Sequence, residues 1–567
     1  MKKYALYAVI AMAILACIYA YLQFLLPLDV FLWDESHHGF YGMQIYRDLC
    51  ARDWGAFWAH TNNQALWMPL HSWLDGIFLL IFGFSYTSAR LSSLFLFFMC
   101  SILVYLIGLE LSKEKGWVIG AIASVLFLTS PMMLHLATVN MQEMLGTFIC
   151  LLTTYFMVRN ISVDARWKYL AMGFLLSVAY WSKQNYAMII MLGAGLFQLS
   201  LLWDIRNEPV KKARPNKFYT WRLDNVFIVL GFLPLFALWW VTPPFARKYG
   251  LAVTYRQGAV AGGTSVTFGF VKTAIFYVQS FITSYNLSFW VALGGVSAAV
   301  VSFFFFRDKK IRIISLMFYA NLIFVGIMSF AQERYLSSAA PLVFLLLGYF
   351  GLAAFERLNN IKRAAVLAYV VTAIITASFI YDLSCLTRYT KEVANRSIMS
   401  FIYKDSLNKF SPPFMFGLIG RPAFTYPQDF TKNKYKDFKV PPASSLRDVM
   451  DFFSSNIERN KSISTMISYA EISPYVIYWH FRGWGATVMS VNDLGFNPKH
   501  FWMADNFIDI QVSEDSPYYS DGLDKRWNDV SKVLLREGVI KLAAKKEFAD
   551  LGLTAKIYKR EKLFYFK

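Results

Sequence analysis

The chain has 567 residues, 56% of them hydrophobic and only 16% charged, with a mean hydropathy of +0.39. Soluble domains carry about 25% charged residues, so these proportions exclude a purely soluble protein. The net charge of +19 lies in the segments between apolar runs and in the C-terminal tail. No basic–aromatic nucleic-acid module accompanies it, and retention loops and anionic lipid explain most of it.

Lys2 and Lys3 open the chain and are followed by an apolar run to about Leu32 with no small-residue cleavage site, which reads as a retained first helix rather than a removed signal. A membrane helix needs about 20 apolar residues. The runs at about 5–32, 91–111, 117–138, 144–158, 168–182, 185–203, 224–242, 287–306, 312–330, 335–355 and 363–381 meet or approach that length. They predict a polytopic α-helical membrane protein with about 11 spanning helices, and 13 at most. With the N-terminus inside, the cytoplasmic segments hold Lys113 and Lys115; Arg159, Arg166 and Lys168; the basic stretch 206–222; Arg307, Lys309, Lys310 and Arg312; and Arg357, Lys362 and Arg363. The short outer gaps hold far fewer basic residues, as the positive-inside rule requires. Counting the apolar stretch 66–84 as a span would reverse every later loop, so it reads as helix lying along the outer face.

Beyond about residue 385 the pattern changes. Residues 386–567 carry dense charge and Pro/Gly turns, and the odd helix count puts them outside. They predict a soluble α/β domain: helices over 444–459, 474–481 and 525–537, strands over 464–469, 486–490 and 507–512, and a terminal hairpin from 539–548 and 553–560. Residues 1–385 form the membrane domain, with 33–90 its first outer loop. Five cysteines show no CxxC and no zinc spacing. Cys50 and Cys385 share the outer side in this topology, which permits a disulfide without establishing one.

Charged residues on separate outer loops stand out. Asp34 and Glu35 follow the first helix, where a carboxylate can serve as general base; an acid facing water is the plain alternative. Glu143 is the only charge in its outer gap and is either a second acid of a cleft or a helix-terminal charge. Arg334, in Gln332-Glu333-Arg334-Tyr335, is placed to clamp a phosphate or to pair with Glu333; Lys183 suits the same phosphate role or snorkels to the interface. Arg90 and His71 are weaker candidates, and His37, His38 and Tyr335 lie where they would line the substrate. Adjacent His37 and His38 do not make an i, i+4 metal pair. No D-x-D, Walker A or G-x-S-x-G motif is present.

The stretch Trp33-Asp34-Glu35-Ser36-His37-His38-Gly39-Phe40-Tyr41 resembles the Asp-Glu motif in the first outer loop of the GT-C glycosyltransferases of the protein O-mannosyltransferase and lipid A aminoarabinose transferase type (family 39/83-like). The mannosyltransferase form is Asp-Glu-x-His-Phe-Gly. Met68-Pro69-Leu70-His71-Ser72-Trp73-Leu74 is similar to that family's Pro-Pro-Leu-x-x-Trp-Leu segment, with Met68 in place of the first Pro and Trp67 where Lys or His is common. Phe84-Ser85-Tyr86-Thr87-Ser88-Ala89-Arg90-Leu91 resembles the lead into the second helix. Glu143 falls where the family carries a second acid, usually Asp, and Lys183, Arg334-Tyr335-Leu336 and Pro341 resemble later elements.

The resemblance covers about 1–385 and implies a GT-C fold and inverting transfer of a hexosyl or pentosyl group from a polyprenyl-phosphate donor at the outer face, to a glycan, lipid or protein acceptor. It implies Asp34 as base, Glu35 or Glu143 as orienting acid, Arg334 and Lys183 as phosphate ligands, and an integral protein of the bacterial inner membrane with a periplasmic tail. The chemistry requires no cofactor and leaves a divalent metal open without pointing to one. The separate loops are expected to gather these groups on one membrane face. A related oligosaccharide ligase or polymerase, or a lipid-linked glycan transporter, is the alternative; transporters usually show internal repeats and mid-helix charges, and neither is visible here.

Overall fold

The computed structural model describes residues 2–27, 31, 34–64, 67–161, 163, 165–207, 214–241, 277–327, 333–359, 362–391, 393, 443–458, 461–465, 479, 481, 488–490, 504–512, 525–549 and 552–562. The chain is a polytopic helical membrane protein, and each of the eleven apolar runs carries helix. Six helices among the described residues are long and apolar enough to cross a membrane: Lys2–Leu25, Tyr86–Leu111, Gln184–Arg206, Lys217–Trp240, Lys309–Ile327 and Ala340–Asn359. A seventh follows if Gly116–Leu128 and Pro131–Thr138 count as one span; they bend by 64° at a short break. The cause is local: Pro131 cannot donate a backbone hydrogen bond, and it takes the first helical position, where that donor is not needed.

The remaining runs are shorter or carry polar residues. Gln142–Arg159 opens with Gln142 and Glu143, Trp167–Ser182 has 16 residues, and Phe289–Ser302 has 14. The stretch 66–84 forms the 13-residue helix Leu70–Phe82, well short of the roughly 20 needed to span. Cys50 and Cys385 are both free thiols.

The chain divides into two compact units. The first comprises Met1–Gln23, Thr61–His71 and Leu91–Thr425 and holds most of the helices. Its interior mixes aliphatic side chains such as Ile314, Met317 and Leu345 with many buried hydroxyls, among them Ser124, Thr154 and Ser315. Several of these donate to carbonyls one turn back in their own helix, Thr154 to Cys150 and Ser315 to Ile311, which satisfies them without a partner helix.

The second unit comprises Phe24–His60, Ser72–Arg90 and Tyr426–Lys567. Its sheet has strands β1 (Ile463–Thr465), β2 (Val488–Ser490), β3 (Asn506–Val512), β4 (Ile540–Phe548) and β5 (Leu553–Arg560), in the order β2-β1-β3-β5-β4. The first three strands pair in parallel; β5 runs antiparallel to both β3 and β4. Strand β1, paired in parallel on both edges, is buried throughout. Edge strand β4 exposes Lys541, Lys545 and Lys546, which discourages pairing with another chain. Helix Ala443–Asn456 buries Val449, Met450 and Phe453, one face at helical spacing. The expected helix at 474–481 lies outside the described residues, apart from Trp479 and Phe481.

Asp505 ties together the neighbouring ends of β1, β3 and β5. Its carboxylate accepts hydrogen bonds from the Ser462 backbone N–H (3.0 Å) and hydroxyl (2.9 Å), and meets Arg560 Nη2 at 3.2 Å. Partial burial works to raise its pKa, but the Ser462 hydrogen bonds outweigh that and hold it below the usual carboxylate value. The resulting stabilisation is full above the unfolded-state value and is lost as pH falls through the lower folded one. Asp505→Ala is expected to cost about 1 kcal/mol, discounted for the exposure of the group, and to speed amide exchange in β1 and β3 at neutral pH. The difference between variant and wild type should shrink in acid; unchanged exchange at neutral pH contradicts this role.

Candidate functional site

Three places where the first unit's backbone leaves helical geometry supply its charged cluster. Met141 is extended, and the helix Gln142–Arg159 starts immediately after it, putting Glu143 in its first turn. Lys183 is the single extended residue between helices Trp167–Ser182 and Gln184–Arg206. Arg334 sits in the short turn Glu333–Leu336 ahead of helix Ala340–Asn359. The charged side chains carried at these breaks are Glu143, Lys183 and Arg334.

The breaks meet. Lys183 Nζ donates to Glu143 Oε1 at 2.7 Å, and Arg334 Nε lies 3.3 Å from the same oxygen. The Glu143 side chain is fully buried, with 15% of the Lys183 side chain and 10% of the Arg334 side chain exposed. Glu143 Oε2 has no hydrogen-bond partner among the described residues. Glu333 does not take the neighbouring guanidinium: its Oε2 accepts from the Ser284 hydroxyl at 2.7 Å, and its carbonyl from the Tyr285 hydroxyl at 2.9 Å. Two cations thus share one carboxylate oxygen in a largely dry setting, where charges interact far more strongly than in water.

Aromatic rings frame the cluster. Lys183 Nζ lies 5.8 Å from the Tyr186 ring centre and 5.5 Å from that of Tyr335; the Arg334 guanidinium lies 5.8 Å from Tyr335. The Tyr186 hydroxyl meets Ser337 Oγ at 2.5 Å. Its ring presses on the Glu143 helix at Gly146, where an added Cβ would meet ring carbons at 2.4–2.7 Å. Gln142 Nε2 donates to the Met68 carbonyl at 3.2 Å, fastening the Met68-Pro69-Leu70-His71 stretch to the same helix start. His71 is buried in that stretch.

The second unit holds the other acids. Asp34 opens helix Asp34–Ala51; its side chain lies outside the described residues. Glu35 is buried, and Arg90 grips it with two parallel bonds, Nε to Oε1 and Nη2 to Oε2, both 2.9 Å. His37 is half-buried and His38 buried on the same helix, which also carries Asp48, paired with His60 Nδ1 at 2.7 Å. Among the described residues no three His, Cys, Asp or Glu side chains gather as metal ligands.

Within the first unit, then, the fold brings together Glu143, Lys183, Arg334 and Tyr335, with His71 in the stretch tied to Gln142; within the second, it joins Glu35 to Arg90, one of the weaker sequence candidates. Tyr186, Ser337 and Ser284 escaped the sequence reading. Tyr186 had one signal, its place three residues after Lys183 on the helix that Lys183 begins.

Residues 64–239 match the family model for dolichyl-phosphate-mannose-protein mannosyltransferases. No curated protein matches the whole sequence significantly. Among solved structures, ArnT from Cupriavidus metallidurans bound to undecaprenyl phosphate is similar over 96% of this chain and 97% of its own, at 14% identity and a TM-score of 0.56. The apo form of the same protein gives 14% identity, the same coverages and a TM-score of 0.54. The archaeal oligosaccharyltransferase AglB from Archaeoglobus fulgidus, solved with an inhibitory peptide and a dolichol phosphate, gives 11% identity over 84% of this chain and 64% of its own, with a TM-score of 0.44.

Removing Glu143 would leave two cations facing each other in the interior. Breaking a buried pair in this way costs about 3–5 kcal/mol. Glu143→Ala should therefore lower the melting temperature of the detergent-solubilised protein by several degrees; an unchanged melting curve contradicts the arrangement.

Proposed function

We propose that this GT-C-fold membrane protein, with a mannosyltransferase-type region at residues 64–239, transfers a sugar from a polyprenyl-phosphate carrier to an acceptor with inversion at the anomeric carbon. The observation that carries the reading is the meeting of two buried cations, Lys183 and Arg334, at one carboxylate oxygen of Glu143. ArnT, which shares the fold, is solved with undecaprenyl phosphate bound, and supports a carrier of that kind here.

In this reading Lys183 and Arg334 hold the donor phosphate, and Glu143 fixes both cations in place through their shared oxygen. Asp34 takes the proton from the acceptor's hydroxyl or amine. The acceptor atom attacks C1 from the face opposite the phosphate, the C1–O bond breaks, and its electron pair leaves with the polyprenyl phosphate. Negative charge therefore grows on the phosphate as the bond stretches. A cation fixed in advance of that change stabilises the transition state more than the ground state, and the carrier leaves without needing a proton. Glu35, fastened by Arg90, orients the helix start beside Asp34, while His37, His38, His71 and Tyr335 line the substrates. Donor and acceptor held together remove much of the entropic barrier.

The same reading places the protein in a bacterial inner membrane, N-terminus in the cytoplasm, with the Asp34 helix and residues 386–567 outside. Cys50, exposed on that helix, is a native reporter. An impermeant maleimide should label it on intact cells, and Cys50→Ser in a Cys385→Ser background should remove the signal; labelling only after lysis reverses the orientation.

Reconstitution with a panel of polyprenyl-phosphate sugars and mass spectrometry of the products tests the activity. Asp34→Asn should leave a folded protein with turnover lower by about 10²–10⁴-fold, and Arg334→Ala should lose on the order of 10²-fold. Substantial turnover by Asp34→Asn removes it as base. An unaltered rate in Arg334→Ala places the phosphate elsewhere, and transfer of a preassembled oligosaccharide alone would make the protein a ligase.

A further inference from the structure

We infer that Trp479, from the C-terminal segment, is a positioning residue for the helix that starts at Asp34. The inference rests on the reading of Asp34 as the base, and gives the C-terminal segment a part in the reaction.

Trp479 is 2% exposed and seated among residues of the first loop. Its ring stacks on Phe84 with centroids 4.3 Å apart and 23° between planes, meets Phe31 edge-on at 4.6 Å, and lies 5.5 Å from Tyr86. It therefore joins residues from both ends of the loop, Phe31 before the Asp34 helix and Phe84 and Tyr86 before Arg90. Met43 and Leu79 complete the same apolar cluster.

Phe31 carries the contact onward. Its ring is fully buried, packs edge-on against Tyr86 at 4.8 Å, and lies 5.2 Å from the Arg90 guanidinium. That guanidinium is the one that grips Glu35, the residue next to Asp34. Phe31 also sits against Gly39 on the Asp34 helix: a Cβ at Gly39 would come within 2.2 Å of Phe31 Cε2 and 2.7 Å of Cδ2. Only glycine admits the ring at that distance. Trp479 thus reaches the first turns of the helix along two routes that share Phe31, one through Gly39 and one through Arg90 and Glu35. Close-packed aromatic neighbours transmit such a displacement because they have no empty volume to absorb it.

Catalysis by a positioned base is sensitive to small displacements: a shift of about 1 Å can cost on the order of 100-fold. Binding of the donor's phosphate by Lys183 and Arg334 does not use Trp479. The two effects therefore separate in kinetics. In the full-length reconstituted protein, Trp479→Leu should lower kcat by roughly tenfold or more while the donor KM stays within about twofold. Trp479→Phe, which keeps a ring in the socket, should recover most of the loss. Phe84→Leu, which removes the ring that Trp479 stacks on and so loosens its seat against Phe31, should lower kcat in the same direction, and adding it to Trp479→Leu should cause little further loss, since both act through the Trp479 ring.

Wild-type kcat in a folded Trp479→Leu protein overturns the inference, as does a loss confined to KM or independent, multiplying losses in the double variant. If Trp479→Leu does not fold, Phe84→Leu and Trp479→Phe decide by the same kcat-against-KM split. Asp34→Asn is the control that separates the two levels. If it is inactive while Trp479→Leu is fully active, the inference alone fails; if it remains active, the reading of the base fails and the inference with it.

Discussion

A single buried carboxylate organises the membrane unit. Glu143 accepts a proton-bearing cation from each of two distant breaks in the helical chain, and both converge on one of its oxygens. Charges this deep are costly unless paired, so the sequence cannot place Lys183 or Arg334 at those breaks without also placing an acid between them. The pairing holds three interhelical junctions to one point. The arrangement is a structural constraint, and in the proposed reading also the cradle for the donor phosphate; the rings of Tyr186 and Tyr335 lie against the cations.

The second unit solves a related problem with different chemistry. Glu35 is nearly as buried as Glu143, and Arg90 meets it with a planar fork that fixes its geometry. What the pair offers is orientation of the helix start at Asp34, backed by the aromatic cluster of Phe31, Phe84, Tyr86 and Trp479. Of the two adjacent carboxylates, Glu35 is fastened by Arg90, and the proposed reading gives proton transfer to Asp34.

What the sequence disclosed follows from the range of each interaction. Apolar runs are local, so all eleven carry helix; period-two alternation and turn residues are local too, and the strands Asn506–Val512, Ile540–Phe548 and Leu553–Arg560 fall close to their expected bounds. The helix over 66–84 was separated from the spans by charge bookkeeping, and its 13 residues agree with that. Partners distant along the chain were not legible. Glu35 finds Arg90 55 positions on, and Glu143 finds Lys183 40 positions on, in segments with nothing in their local pattern to name the partner. Arg334 beside Glu333 invited a neighbour pair, yet the two side chains turn to different partners because Ser284 and Glu143 come from elsewhere in the fold. Trp479 lay in a segment read only as helix, and an apolar ring says nothing about which surface will receive it.

The central claim is that Lys183 and Arg334, held by Glu143, bind the phosphate of a polyprenyl carrier. The most direct test is the affinity of the nanodisc-embedded protein for undecaprenyl phosphate itself, without sugar or acceptor, read by native mass spectrometry over a lipid titration. The wild type should bind one carrier, and the Lys183→Gln, Arg334→Gln double variant should bind at least tenfold more weakly while keeping its fold. Equal affinity in the two proteins would contradict the claim.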